Sequence, residues 1–154
     1  MRFNSILRLW HRFYAQPRSR RLLLLEAACW LAVARLAILL VPFPRIGRHL
    51  GELRPPVGPA NEFPQDDAIA GEVAWAIDRS ARVFPFELVC FPRALAGWQM
   101  LHRRGIAGRL HFGASRDPGR ASLRTHAWLD ACGVEVTGYP EAHDCVELGY
   151  FARC

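Results

Sequence analysis

A chain of 154 residues, 51% of them apolar and 22% charged, is long enough for one buried core and too apolar to be disordered by default. Its 20 basic residues against 14 acidic ones leave a net +6, which suits an acidic peptide, a polyanion or an anionic membrane surface, or simply a well-solvated face. Cys29, Cys90, Cys132, Cys145 and Cys154 make an odd count without repeat spacing, an argument for free thiols in a reducing compartment and against a disulfide framework.

Arginines crowd the start of the chain at Arg2, Arg8, Arg12, Arg18, Arg20 and Arg21, and residues from Phe3 to Tyr14 read as a short basic amphipathic helix ended near Pro17. The run LLLLEAACWLAVARLAILLVPF, Leu22 to Phe43, is long enough to span a bilayer. Glu26 and Arg35 interrupt it, and an arginine near the middle opposes insertion. SRRLLLL has a faint twin-arginine look, but an early glutamate does not suit a secretory core. The expectation is a long buried or surface-lying helix closed by Pro42 and Pro44, in a cytoplasmic protein, with peripheral membrane contact left open.

RPPVGPANEFPQ, Arg54 to Gln65, reads as a proline-rich loop. It divides a helical N-terminal segment and linker, residues 1–60, from a core over 61–154. Asp66 or Asp67 can cap the next helix, whose stripe is Ile69, Val73 and Ile77, with Pro85 at its end. In ELVCFPRALAGWQMLHRRG, Leu95, Trp98, Met100 and Leu101 carry another helical stripe that Gly105 stops. The period then changes from helical to alternating. Leu110 and Phe112 suggest a strand, RDPG (Arg116 to Gly119) a turn, LRTHAWLD a second strand, Cys132-Gly133 a hairpin turn and VEVTG the return strand. Helices followed by an antiparallel sheet make an α+β domain.

Cys90 stands two residues before Pro92, which suits the first turn of a helix. A thiol there faces unpaired N–H groups and the positive end of the helix dipole, an environment that favours thiolate; a space-filling buried cysteine is the plain alternative. His126 lies on a strand face shared with Trp128, while Thr125, Ala127 and Leu129 point the other way. A strand following a nucleophile-bearing helix can carry an imidazole to that thiol and form a thiolate–imidazolium pair. His102 and His111 read as surface residues, and Arg93, Arg103 and Arg104 as solvent-exposed or contact residues. Cys132, His143, Cys145 and Cys154 lack the paired spacing of a zinc site, so no metal is expected.

CFPRALA (Cys90 to Ala96), MLHRRGIAGRLHFG (Met100 to Gly113) and HAWLDACG (His126 to Gly133), in that order, resemble the transglutaminase-like leader peptidases of lasso-peptide biosynthesis. The apolar N-terminal run is similar to that family's helical segment. The resemblance implies a papain/transglutaminase-like core in which the nucleophile helix packs on a small antiparallel sheet. It implies a cysteine peptidase that removes the leader from a ribosomally made precursor through a thioester, using Cys90 as nucleophile and His126 as base. The precursor, a separate leader-recognition protein and an ATP-dependent cyclase are the implied partners; nucleic acid and cofactors are not expected. The family places an acid on the return strand, at a register that here holds Gly138. Glu141 is the expected substitute, ahead of Glu135, Asp144 and Asp130, and a backbone carbonyl can also orient the ring. A different thiol amidase or acyl transferase, or a non-catalytic adaptor, is the alternative reading.

Overall fold

A computed structural model describes residues 11, 13–56, 67–84, 87–116 and 122–152. The expected Phe3–Tyr14 helix lies almost wholly outside these residues, as do Asp66, Pro85, most of the proline-rich loop and all of the RDPG turn but Arg116. Helix α1 (Arg18–Leu40) occupies the apolar run as far as Leu40, a stretch that contains no glycine or proline to break it. Val41 takes an extended conformation and closes the last turn with its N–H on the Ala37 carbonyl. Pro42 then caps α2 (Phe43–Leu50), and Pro44 occupies its first turn. The two prolines therefore start a second helix as well as ending the first, because the first turn needs no N–H from Pro44.

After the three-residue strand β1 (Glu52–Arg54), helix α3 (Asp67–Ala81) and helix α4 (Cys90–His102) form a pair beneath α1. The buried face of α1 is Ala27, Leu31 and Ala34; that of α3 is Ala70, Val73, Ala76 and Ile77. Ile69, expected on the α3 stripe, is exposed, because the face that meets α1 and α4 centres one position further round. Helix α4 buries Ala94, Leu95, Trp98, Met100 and Leu101. The expected division at 60 and 61 falls outside the described residues, and side chains from both sides of it, such as Leu31 and Leu129, share one apolar core.

The sheet is an antiparallel array in the order β1-β5-β2-β3-β4. Strands β2 (Arg109–Arg116), β3 (Leu123–Ala131) and β4 (Val134–Thr137) form a meander. Cys132 and Gly133, both at positive φ, make the two-residue turn between β3 and β4. A 3-10 turn (Glu141–Asp144) then leads into β5 (Val146–Ala152), which returns between β1 and β2. The molecule is thus an α+β domain of stacked layers, with α1 outermost, α3 and α4 beneath it, and the sheet below them.

Candidate active site

Cross-strand register sorts the β3 side chains between two faces. Leu129 pairs with Leu110 and Ala127 with Phe112, and this set meets the helices. Trp128 pairs with His111, Asp130 with Arg109 and His126 with Gly113, on the other face. The Phe91 ring, at the start of α4, lies 5.4 Å from Phe112. Two turns later, a Cβ placed on Gly97 would stand 2.8 Å from Leu129 Cδ2. Helix α4 therefore travels along β3 in the strand's own direction, and its first residue, Cys90, is at the end of β3 that holds His126.

Cys90 is the first helical residue and is partly exposed. No side chain caps the helix at Val89, so the leading N–H groups lack a side-chain acceptor. Beside this end of α4 opens a cavity of about 490 Å³, lined by residues including Asp78, Arg82, Glu87 and Arg93. Arg93, one turn beyond the cysteine, is tied to Asp78 at 3.2 Å.

His126 is half-buried, and its Nε2 donates to the Gly138 carbonyl at 2.7 Å. A neutral ring that donates from Nε2 carries its lone pair on Nδ1. Gly138 is the position where the resemblance places an acid. Its φ of +88° turns the chain as β4 ends, and a Cβ there would sit 2.6 Å from Trp128 Cβ and 2.8 Å from the Ala127 carbonyl oxygen. The backbone supplies the acceptor because no side chain fits. Glu141, the expected orienting acid, is carried three residues further into the 3-10 turn. It is exposed there, and among the described residues no hydrogen bond joins its carboxylate to His126. Likewise, no hydrogen bond joins Cys90 to His126 among the described residues. Both lie toward the same end of β3, but His126 is on the face turned away from the helices and Cys90 starts a helix on the opposite face, so the structure does not bring the two side chains together.

The face of the sheet that carries His126 also holds a feature that the sequence did not disclose. His111, expected at the surface, is buried at 6% exposure. Its Nδ1 meets Glu147 Oε1 at 2.6 Å, and its Nε2 meets Asp130 Oδ1. Carboxylates at both ring nitrogens favour the imidazolium form, in which each nitrogen donates. Burial, the largest single influence, pulls its pKa down, but the bonds and charges of Asp130 and Glu147 outweigh burial and raise it. Trp128 lies parallel to this ring at 5.3 Å and also stacks on His126 at 6.1 Å. Gly113 leaves room for the indole, since a Cβ would stand 2.7 Å from it. Tyr150 flanks His111 on its other side, and Arg109 covers Tyr150. Burial, followed by the charges of Asp130, Glu135 and Glu147, raises the Tyr139 hydroxyl pKa.

Among the described residues, no three His, Cys, Asp or Glu side chains are arranged to hold a metal ion. Cys145 donates to the Glu141 carbonyl and His143 bonds Glu135, while Cys154 lies outside the described residues. Arg104 is exposed, as expected, and also grips Glu26 of α1 through both guanidinium nitrogens, at 3.0 and 2.6 Å.

Residues 25–147 match the family model of the transglutaminase-like superfamily. No match was found among curated proteins or among solved structures. The matched span runs from α1 into β5 and includes Cys90 at its helix start and His126 on its strand. Cysteine peptidase or acyltransferase chemistry is what such a domain carries, and the chain belongs to the transglutaminase-like superfamily.

Proposed function

We propose that this protein is a cytoplasmic cysteine peptidase that removes the leader from a ribosomally synthesised lasso-peptide precursor, with Cys90 as nucleophile and His126 as general base. The observation that carries the reading is the Nε2–Gly138 hydrogen bond in a chain of this superfamily. It fixes the tautomer that a base needs, and it supplies through a carbonyl the orientation that an acid gives elsewhere. The ordered motifs CFPRALA, MLHRRGIAGRLHFG and HAWLDACG support the leader-peptidase specificity.

In the reaction, Nδ1 of His126 accepts the thiol proton as Cys90 Sγ attacks the scissile carbonyl carbon. The oxyanion lies against N–H groups at the start of α4, which no side chain caps. Collapse of the tetrahedral species breaks the C–N bond. The imidazolium returns its proton to the departing amine, which becomes the N-terminus of the core peptide. Water, deprotonated by the same Nδ1, then hydrolyses the leader thioester to a carboxylate and restores the thiol. The sulfur–imidazole contact requires the His126 ring to turn past the end of β3 toward the start of α4 in the substrate complex, because the two side chains start on opposite faces of the sheet. A separate leader-recognition protein presents the precursor, and an ATP-dependent cyclase consumes the freed amine.

The test is reconstitution with the precursor and recognition protein encoded beside this chain, followed by mass spectrometry. The wild-type protein is expected to release a leader-sized fragment, and Cys90→Ala to abolish release while the fold is retained. Undiminished processing by Cys90→Ala would rule out the thiol mechanism. Transfer of the leader to an added amine in place of water would identify an acyl transferase.

A further inference from the structure

We propose that the outer face of α1 docks in the plane of an anionic lipid bilayer. Leu22, Leu25, Cys29, Val33, Leu36 and Leu40 recur at spacings of three and four and so share one face. All are exposed, Leu22 at 68% and Leu40 at 78%, and they extend over about 27 Å of helix. A continuous apolar face of this length marks a contact surface. By length and composition α1 could cross a membrane, but Ala27, Leu31 and Ala34 on its inner side are built into the core and Glu26 is clamped by Arg104. The helix therefore lies along a surface and does not leave the fold to span one.

Charge selects the occupant. Glu26 is the only acidic residue between positions 18 and 50, and it is already paired. Arg18 stands exposed at the start of the stripe, with Arg45 and Arg48 exposed on α2 beyond its end. None of the three has a carboxylate partner among the described residues. Phe43, half exposed, marks the corner between the two helices. An apolar face bounded by unpaired arginines and an aromatic ring matches the acyl–headgroup boundary of an anionic leaflet. Pairing with a second copy through α1 fits less well. An antiparallel pair sets Arg18 against the other copy's Arg45 and Arg48, and a parallel pair sets each arginine beside its counterpart.

The test uses the full-length, reduced protein sedimented with vesicles of equimolar phosphatidylcholine and phosphatidylglycerol, and with phosphatidylcholine alone. Binding to the mixed vesicles is expected to be at least about tenfold tighter and to weaken with salt. Leu25→Glu with Leu36→Glu is expected to abolish it, circular dichroism reporting the fold. Arg45→Gln with Arg48→Gln, which leaves the apolar face intact, is expected to weaken binding about tenfold on mixed vesicles only. Equal binding to both vesicles, no binding to either, or indifference to the arginine pair would overturn the proposal. So would a dimer in light scattering that the glutamate pair dissociates while vesicles bind nothing, since a second copy would then cover the face.

Discussion

Gly138 is where one residue decides the geometry of the candidate base. Its carbonyl accepts from His126, its φ is +88°, and its missing Cβ leaves the Trp128 backbone and the Ala127 carbonyl in place. Restoring the acid that the resemblance calls for would therefore not make a better triad. Gly138→Asp must put a Cβ within 2.8 Å of a backbone oxygen and hold a side chain in the left-handed region, at a cost of about 2 kcal/mol or more. We expect both Gly138→Asp and Gly138→Ala to lower the denaturation midpoint and slow leader release, the alanine showing that the backbone is at fault. Faster processing by the aspartate variant would mean that a carboxylate reaches His126 after all. The sequence pointed to this position because the return-strand register lands on glycine. The sequence could not reveal which way that carbonyl faces, since this depends on a backbone angle rather than on residue type. His111 was missed for a different reason. Its carboxylates come from β3 and β5, and nothing in the local alternation LHF marks a histidine that two other strands will enclose.

Between elements, two charged groups act as ties, and they titrate in opposite directions. Glu26 joins α1 to the end of α4. Its hydrogen bonds to Arg104 hold its pKa below the ordinary 4.5, more than offsetting burial. A depressed carboxylate contributes stability above its unfolded pKa and loses it as pH falls through the folded value. His111 joins β2 to β3 and β5 with a raised pKa, so its contribution is complete below 6.5 and disappears as pH climbs through the folded value. These two groups together place a stability maximum between 4.5 and 6.5. Urea midpoints measured from about pH 3 to about pH 9 check this, with Glu26→Gln expected to flatten the acid limb and His111→Gln the alkaline limb. A profile unchanged by either variant would show that the ties are energetically idle. At this scale the sequence was legible where periodicity is strong. The α4 stripe, the hairpin turn and the β3 alternation were all readable. Strand β5 was not, because Glu147 and Gly149 disguise VELGYFA as a tail, and only its insertion between β1 and β2 makes it central to the sheet.

For the whole molecule, α1 has two faces with different thermodynamic roles, and comparing them tests whether it is an appendage or part of the enzyme body. Leu31 is fully buried against α3 and α4, in the same core as Leu110 and Leu129 behind the candidate site. Deleting its side chain leaves a cavity that the packed layers cannot close, so Leu31→Ala is expected to cost about 3 kcal/mol. Because the core is continuous, the loss should appear as one cooperative transition that takes the sheet with it. Leu36, five residues along, is exposed. A charge there meets solvent, so Leu36→Glu should change stability by no more than about 0.5 kcal/mol. Thermal unfolding followed by tryptophan fluorescence and by circular dichroism distinguishes the outcomes. Coincident, lowered transitions for Leu31→Ala beside a near-native Leu36→Glu would make α1 a structural layer whose outer side is free for another surface. Two separated transitions would instead show that α1 unfolds by itself, and that the enzyme body begins at α3.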